Sequence, residues 1–350
     1  MKLASVIAAL QQVAPEHLAE GWDQVGVHLA GNGKRVRRAM LCIDLTPAVL
    51  DEAIGRKCQL VVAYHPPIFR PVARLADRDW KERMLAKAVR AGLAVYSPHT
   101  SLDAVRNGMN DWLCDGLGAH TVRWSLGVPR PMRAHRYKVV VRVPRTSATV
   151  IRNAMSNAGA EIRTSGERDA VEEVSVEGVC WRDRLGDVVK AARSLYPNEA
   201  LAMDIVELCG EPEPEDEEQT PGRCVHLRRP ISAEVLVRRV KRQLNLKRVK
   251  VAIPTAYGDE SPGQIGSIAV CVGAGGSLFE KYMTADAYIT GEMQHHQVLD
   301  MVQRRKVVIL AGHTNSERPF LSNYRDAIVE QCGAVEWMVS LEDTAPLQIV

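Results

Sequence analysis

Three short stretches of this chain place imidazoles and carboxylates where they could share one centre. In Tyr64-His65-Pro66-Pro67 the two prolines stop an apolar run, Gln59–Ala63, and hold the backbone extended, which fixes the direction of His65. In Ser97-Pro98-His99-Thr100-Ser101-Leu102-Asp103 a carboxylate follows the apolar run Leu93–Tyr96. In Ala311-Gly312-His313-Thr314-Asn315-Ser316-Glu317, after Val307–Leu310, the spacing predicts His313 in a loop and Glu317 in the first turn of the next helix. His65, Asp103, His313 and Glu317 form an N/O donor set that suits Zn²⁺, Mn²⁺, Fe²⁺ or Co²⁺ and disfavours a thiolate cluster. A carboxylate can also bridge two ions ~3.5–4 Å apart, the arrangement of two-metal hydrolytic sites. The chain has 10 histidines, so some loop imidazoles are expected as ordinary hydrogen-bonding partners. On the residues alone, both readings stand.

A second cluster, Thr290-Gly291-Glu292-Met293-Gln294-His295-His296, follows Ala287–Ile289. Glu292 and His296 could serve as acid/base groups beside a metal-bound water, or the segment could be a helix start rich in polar residues. Gly273-Ala274-Gly275-Gly276-Ser277 could present amides to a phosphate or form a tight structural turn. It lacks the Lys-Ser/Thr of a P-loop and the spacing of a dinucleotide fingerprint. Basic Lys34–Arg38 and Arg238–Arg242 are short, isolated runs and read as solvated surface.

The elements that must position these residues alternate along the chain. Ala39–Leu45, Gln59–Ala63 and Leu93–Tyr96 read as buried strands, with helices at Pro47–Gly55, Trp80–Ala91 and Asn107–Leu117. Further strands at Val249–Ile253, Ile268–Val272, Ala287–Ile289 and Val307–Leu310 continue the style, which predicts an α/β body with a mostly parallel sheet covered on both faces. In such folds, functional groups gather where strands end at the carboxyl edge. The middle of the chain reads βαββαβ, the order of a ferredoxin-like unit. It is followed by Glu211–Glu218, six acidic residues and two prolines, a self-repelling linker. The expected organisation is therefore 1–130 and 223–350 as two halves of one body, an inserted domain at 131–210, and a linker at 211–222.

The 350 residues are 46% hydrophobic and 25% charged, the composition of a folded globular protein. The formal net charge of +3 argues against a dedicated nucleic-acid binder. Eight scattered cysteines without a CxxC pair read as reduced core thiols of a cytoplasmic protein. Leu3, Val6, Ile7, Leu10 and Val13 share one helical face, so the N-terminus reads as an amphipathic helix, and no apolar run approaches the ~20 residues of a membrane span.

Several stretches together resemble the Nif-three-like family of dinuclear-metal proteins, whose members carry the name type-2 GTP cyclohydrolase I homologue. They are Gly21–Gly26 (GWDQVG), Tyr64–Phe69 (YHPPIF), Tyr96–Asp111 (YSPHTSLDAVRNGMND), Ala285–His296 (ADAYITGEMQHH) and Gly312–Phe320 (GHTNSERPF), in the family's order. The wording is most similar to the eukaryotic-type branch. The resemblance implies a two-halved body with an inserted domain, a toroidal homo-hexamer, and one or two divalent ions (Zn, Fe or Mn) per chain. It carries the ligand role to His65, Asp103, His313 and Glu317, with Glu317 as the bridge. Many members have two consecutive histidines at the first motif, where this chain has Tyr64 before His65. A phenol with a pKa of ~10 is a poor ligand at neutral pH, so Tyr64 is expected to hydrogen-bond a carboxylate or metal-bound water instead. The ion shared by His313 and Glu317 is then expected to be held more weakly than the one shared by His65 and Asp103. The function implied is a metal-dependent hydrolase acting on a nucleotide or related small molecule, GTP cyclohydrolase-like, through a metal-activated water. The alternative is a non-enzymatic metal-binding regulatory or metal-handling protein with the insert as its partner surface.

Overall fold

Short, fully buried tetrads make the strands that carry the site. In the computed structural model, Leu60–Ala63 (β3) and Ala94–Ser97 (β4) are buried at all four positions, as strands covered on both faces must be. The model describes the chain except residues 34, 73, 77, 127–135, 164–172, 198–200, 209–219, 255–263 and 348–350. The acidic stretch Glu211–Glu218 and Cys209 fall outside the described residues. The described chain divides into two compact units, Met1–Pro129 with Asp216–Val350, and Arg130–Glu215.

The first unit holds two sheets. One has the order β1 (Gly26–Ala30), β4, β3, β2 (Arg38–Cys42), β15 (Glu336–Val339). Its strands are parallel except β1, which runs antiparallel to β4. The other has the order β11 (Lys250–Ala252), β14 (Val307–Leu310), β13 (Ala287–Thr290), β12 (Ile265–Cys271), β10 (Arg223–Ile231), β5 (His120–Ser125). Here only β12, β13 and β14 are parallel; β11, β10 and β5 pair antiparallel, so this sheet departs from the mostly parallel pattern expected. Strand β5 from the N-terminal stretch completes the C-terminal sheet, and β15 from the C-terminal stretch completes the N-terminal one.

Helices cover the sheets: α1 (Leu3–Val13), α2 (Pro47–Gly55), α3 (Trp80–Arg90), α4 (His99–Ala104), α5 (Met109–Asp115), α8 (Ala233–Gln243), α9 (Gly276–Lys281), α10 (His295–Gln303), α11 (His313–Glu317) and α12 (Leu321–Cys332). Thr46 caps α2 by accepting from the Val49 amide, with Pro47 at the first helical position; Asp79 caps α3 through the Glu82 amide. Among the described residues, no helix is long and apolar enough to cross a membrane. Of the seven cysteines among the described residues, six are buried.

Two polar ties hold this unit at its seams. Arg223, 3% exposed, sets its Nε 2.8 Å from Asp111 Oδ1 and donates its Nη2 to the carbonyls of Ala104 and Val105. Asp343, from the segment after β15, accepts from the Ile43 amide at 2.7 Å and from Arg318 Nη2 at 3.0 Å.

In the second unit, β6 (Arg136–Pro144), α6 (Ala148–Asn157), β7 (Glu161–Arg163), β8 (Glu173–Trp181), α7 (Arg182–Arg193) and β9 (Met203–Leu208) follow one another. The strands form an antiparallel sheet of order β7-β8-β6-β9. Its core is Val139, Val141, Ile151, Met155, Val176 and Val188, all buried.

Candidate metal centre

The carboxyl ends of β3, β4, β12, β13 and β14 deliver the residues of one site. His65 leaves β3 with its amide held by the Ile43 carbonyl. Ser97, the last residue of β4, donates its hydroxyl to the Tyr64 carbonyl at 2.7 Å. His313 opens the short helix α11 and Glu317 closes it, so His313 is helical where the spacing predicted a loop. Likewise His99 and Asp103 lie on α4, where the sequence read as a loop. Gly312 at φ +92° makes the turn into α11.

The two imidazoles of the site are oriented in the same way. His65 sets Nδ1 2.9 Å from Asp44 Oδ1 and Nε2 3.6 Å from Glu317 Oε2. His313 sets Nδ1 3.4 Å from Glu292 Oε2 and Nε2 3.4 Å from Glu317 Oε1. Each ring thus faces an outer carboxylate with its Nδ1, hydrogen-bonded in His65 and at ion-pair distance in His313, and turns its Nε2 to a different oxygen of one buried carboxylate. Outer carboxylates of this kind fix the tautomer and raise the basicity of a metal-binding imidazole. Burial disfavours the His65 imidazolium, but the Asp44 and Glu317 carboxylates outweigh it and push its pKa up to about 10.

The donors fit a divalent cation. Donor atoms of His65, His313 and Glu317 all lie within 4.8 Å of one another. Glu317 is 1% exposed, and its Oε2 is buried with no hydrogen-bond partner, a costly state that a cation would relieve. Room is kept by Gly273, at φ +64°: a Cβ there would stand 2.6 Å from Glu317 Oε1. The glycine-rich turn acts as structure here, since the Gly273 amide is taken by Ser316 Oγ and the Gly275 amide by Thr290 Oγ1.

Asp103 lies outside that three-residue group. It accepts a 2.7 Å hydrogen bond from the Tyr64 hydroxyl, and burial pushes its pKa up to about 7. Burial, reinforced by Asp103 and Glu317, pushes the Tyr64 phenol well above its ordinary value, so it stays a neutral donor. The donor atoms that come together among the described residues are thus those of His65, His313 and Glu317. Glu292 stands at His313, whereas His296 is exposed in the first turn of α10.

Sequence reasoning missed His99, Asp23 and Asp44. His99 packs edge-on to Tyr64 and His65 at 5.4 and 5.5 Å between ring centres, and its φ of +33° marks a constrained backbone. Asp23 holds it, with Oδ1 2.6 Å from His99 Nδ1 while Oδ2 accepts from the Thr100 amide and hydroxyl. Placement after a strand's carboxyl edge, the rule that found His65, applies to His99 as well. Nothing in sequence spacing connects it to Asp23, 76 residues away. Trp22, 57% exposed, packs at 6.0 Å against both His99 and Phe69 at the mouth of the site.

The family model described as Duf34/NIF3 (NGG1p interacting factor 3) matches residues 1–346. The chain is 32% identical to the NIF3-like protein 1 of Bos taurus over 363 residues, covering 100% of this chain and 93% of that one. It is 28% identical over 350 residues to a Halalkalibacterium halodurans protein named GTP cyclohydrolase 1 type 2 homolog, covering 89% of each. The crystal structure of a Bacillus cereus protein related to NIF3 superposes with a TM-score of 0.66 at 24% identity, covering 100% of this chain and 99% of that one.

Proposed function

Given that the chain belongs to the Duf34/NIF3 family, we propose that it is a metal-dependent hydrolase of a nucleotide or related small molecule. The observation that carries this reading is the pair of imidazoles aimed at opposite oxygens of Glu317, one of which has no hydrogen-bond partner. His65, His313 and Glu317 hold a divalent ion, zinc, iron or manganese, and Asp103 is the ligand available to a second. The bound ion supplies Lewis acidity towards water and the substrate atom under attack. Asp44 and Glu292 keep the two Nε2 atoms directed inward, and Glu292 or His296 carries protons at the exposed side of the site. Trp22 and Phe69 restrict water at its mouth. GTP, the substrate suggested by the name of the Halalkalibacterium relative, is the specific candidate. Six copies assemble as a ring, and the second unit is a ferredoxin-like insert.

The test is purified, metal-loaded protein with GTP, scored for formate and a ring-opened product. Turnover above a His65→Ala control supports the reading; none removes it. The family description as an interacting factor favours a second reading, a metal-binding regulatory or metal-handling protein whose insert is the partner surface. Metal bound without turnover across a nucleotide and phosphoester panel would leave that one standing.

A further inference from the structure

A cavity of about 570 Å³, within the ~300–1,000 Å³ range of small-molecule sites, is lined by Pro67, Phe69 and the segment that leads into α3. Its floor is Pro67 and Leu85, both buried, and its walls carry Arg70, Arg74, Arg78, Lys81, Asp79 and Glu82. The two acids are already committed. Glu82, 7% exposed, accepts from the amides of Ala76 and Arg78 and pairs with the Arg78 guanidinium at 2.7 Å. Asp79 caps α3 through the Glu82 amide at 2.8 Å. Arg70 and Arg74 form no ion pair among the described residues, and Lys81 lies over the Trp80 ring. Arg70 and Arg74 bring positive charge to a segment that Glu82 and three prolines, Pro66, Pro67 and Pro71, hold in shape. Phe69 belongs to two places at once, since it lines this cavity and packs on Trp22, which packs on His99.

We propose that this cavity is a subsite for the phosphate-bearing end of the substrate, held by Arg70 and Arg74 while the opposite end reaches the metal centre past Trp22 and Phe69. The proposal rests on the hydrolase reading and narrows it to phosphorylated compounds. Guanidinium forks suit phosphate oxygens because each offers two parallel donors. Two such residues are the least that such a subsite needs.

Inorganic pyrophosphate titrated calorimetrically into the metal-free full chain isolates the subsite from the metal. The expected result is binding that weakens about tenfold or more in Arg70→Ser/Arg74→Ser and steepens in salt dependence in the unmodified chain. Arg325→Ser, on α12, serves as the control for general surface charge. Absence of binding in the metal-free chain, or equal binding in the double variant and the control, would overturn the proposal. Both arginines lie on the surface, so an unchanged thermal transition in the variant confirms that folding is intact; Arg70→Ser and Arg74→Ser singly repeat the measurement if it is not. With metal and GTP, the double variant should raise KM while leaving kcat largely in place. Pyrophosphate binding without any turnover would retire the hydrolase reading and keep the subsite; turnover with an unchanged KM would do the reverse.

Discussion

If the centre holds metal as proposed, Tyr64 is the residue that would set how many ions it accommodates. Its neutral phenol occupies Asp103 Oδ1, and a carboxylate with a pKa near 7 in the metal-free chain is a weaker ligand than an ionised one. Tyr64→His should raise metal content towards two ions per chain, measured by elemental analysis after mild chelation, whereas Tyr64→Phe should alter activity more than metal content. Two tightly held ions in the unmodified chain would contradict this. His65 gives a second expectation. Its pKa of about 10 means that below that pH the metal-free ring carries a proton that an incoming ion must displace. Metal affinity should therefore rise with pH, by about tenfold per unit through the neutral range, with about one proton released per ion. Calorimetry in buffers of different ionisation enthalpy reads that proton directly; no release would mean that His65 is not a ligand.

At the scale of elements, Arg223 joins β10 to the loop after α4 and to α5. Arg223→Ala should cost about 3 kcal/mol or more in urea unfolding, because Asp111 keeps a buried charge and two carbonyls lose their donor. A loss below about 1 kcal/mol would show that Arg123, 3.1 Å from Asp111, compensates. The legible elements were those whose pattern is strong by itself. Pro47–Gly55 has a capping threonine and a first-turn proline, and β3, β4 and β14 are unbroken apolar runs. The unread ones depend on partners distant in sequence. Strand β5 is half-buried and rich in polar residues, β10 carries three arginines, and each is stabilised by the other's backbone. Helix α8 was readable but overlooked: Ser232 caps it, and Ala233, Leu236 and Val240 form its buried stripe. In the site, His65, His313 and Glu317 were found because strand ends announce them. Asp23 and Asp44 are tertiary partners that no local spacing encodes, whereas the bond from Tyr64 to a carboxylate was expected and Asp103 is its acceptor.

For the whole molecule, the second unit interrupts the first at adjacent strands. The Leu126 amide donates to the Gly222 carbonyl at 3.1 Å, so the chain leaves and re-enters side by side. Replacing residues 130–215 by a short flexible linker should therefore leave metal content unchanged. Loss of metal from a folded deletion variant would mean that the insert supports the ligands. The exchange of β5 and β15 between sheets also has a consequence for biosynthesis. Every proposed ligand has left the ribosome once Glu317 has, yet β2 is still an open edge until Glu336–Val339 arrives. Asp343 comes later still, and it secures Ile43, beside the Asp44 that orients His65, as well as Arg318, beside Glu317. Completion of the centre thus waits until the segment through Asp343 has been made. Chains stopped after Val335 should emerge with an unpaired edge and poor metal retention, prone to sticking to one another.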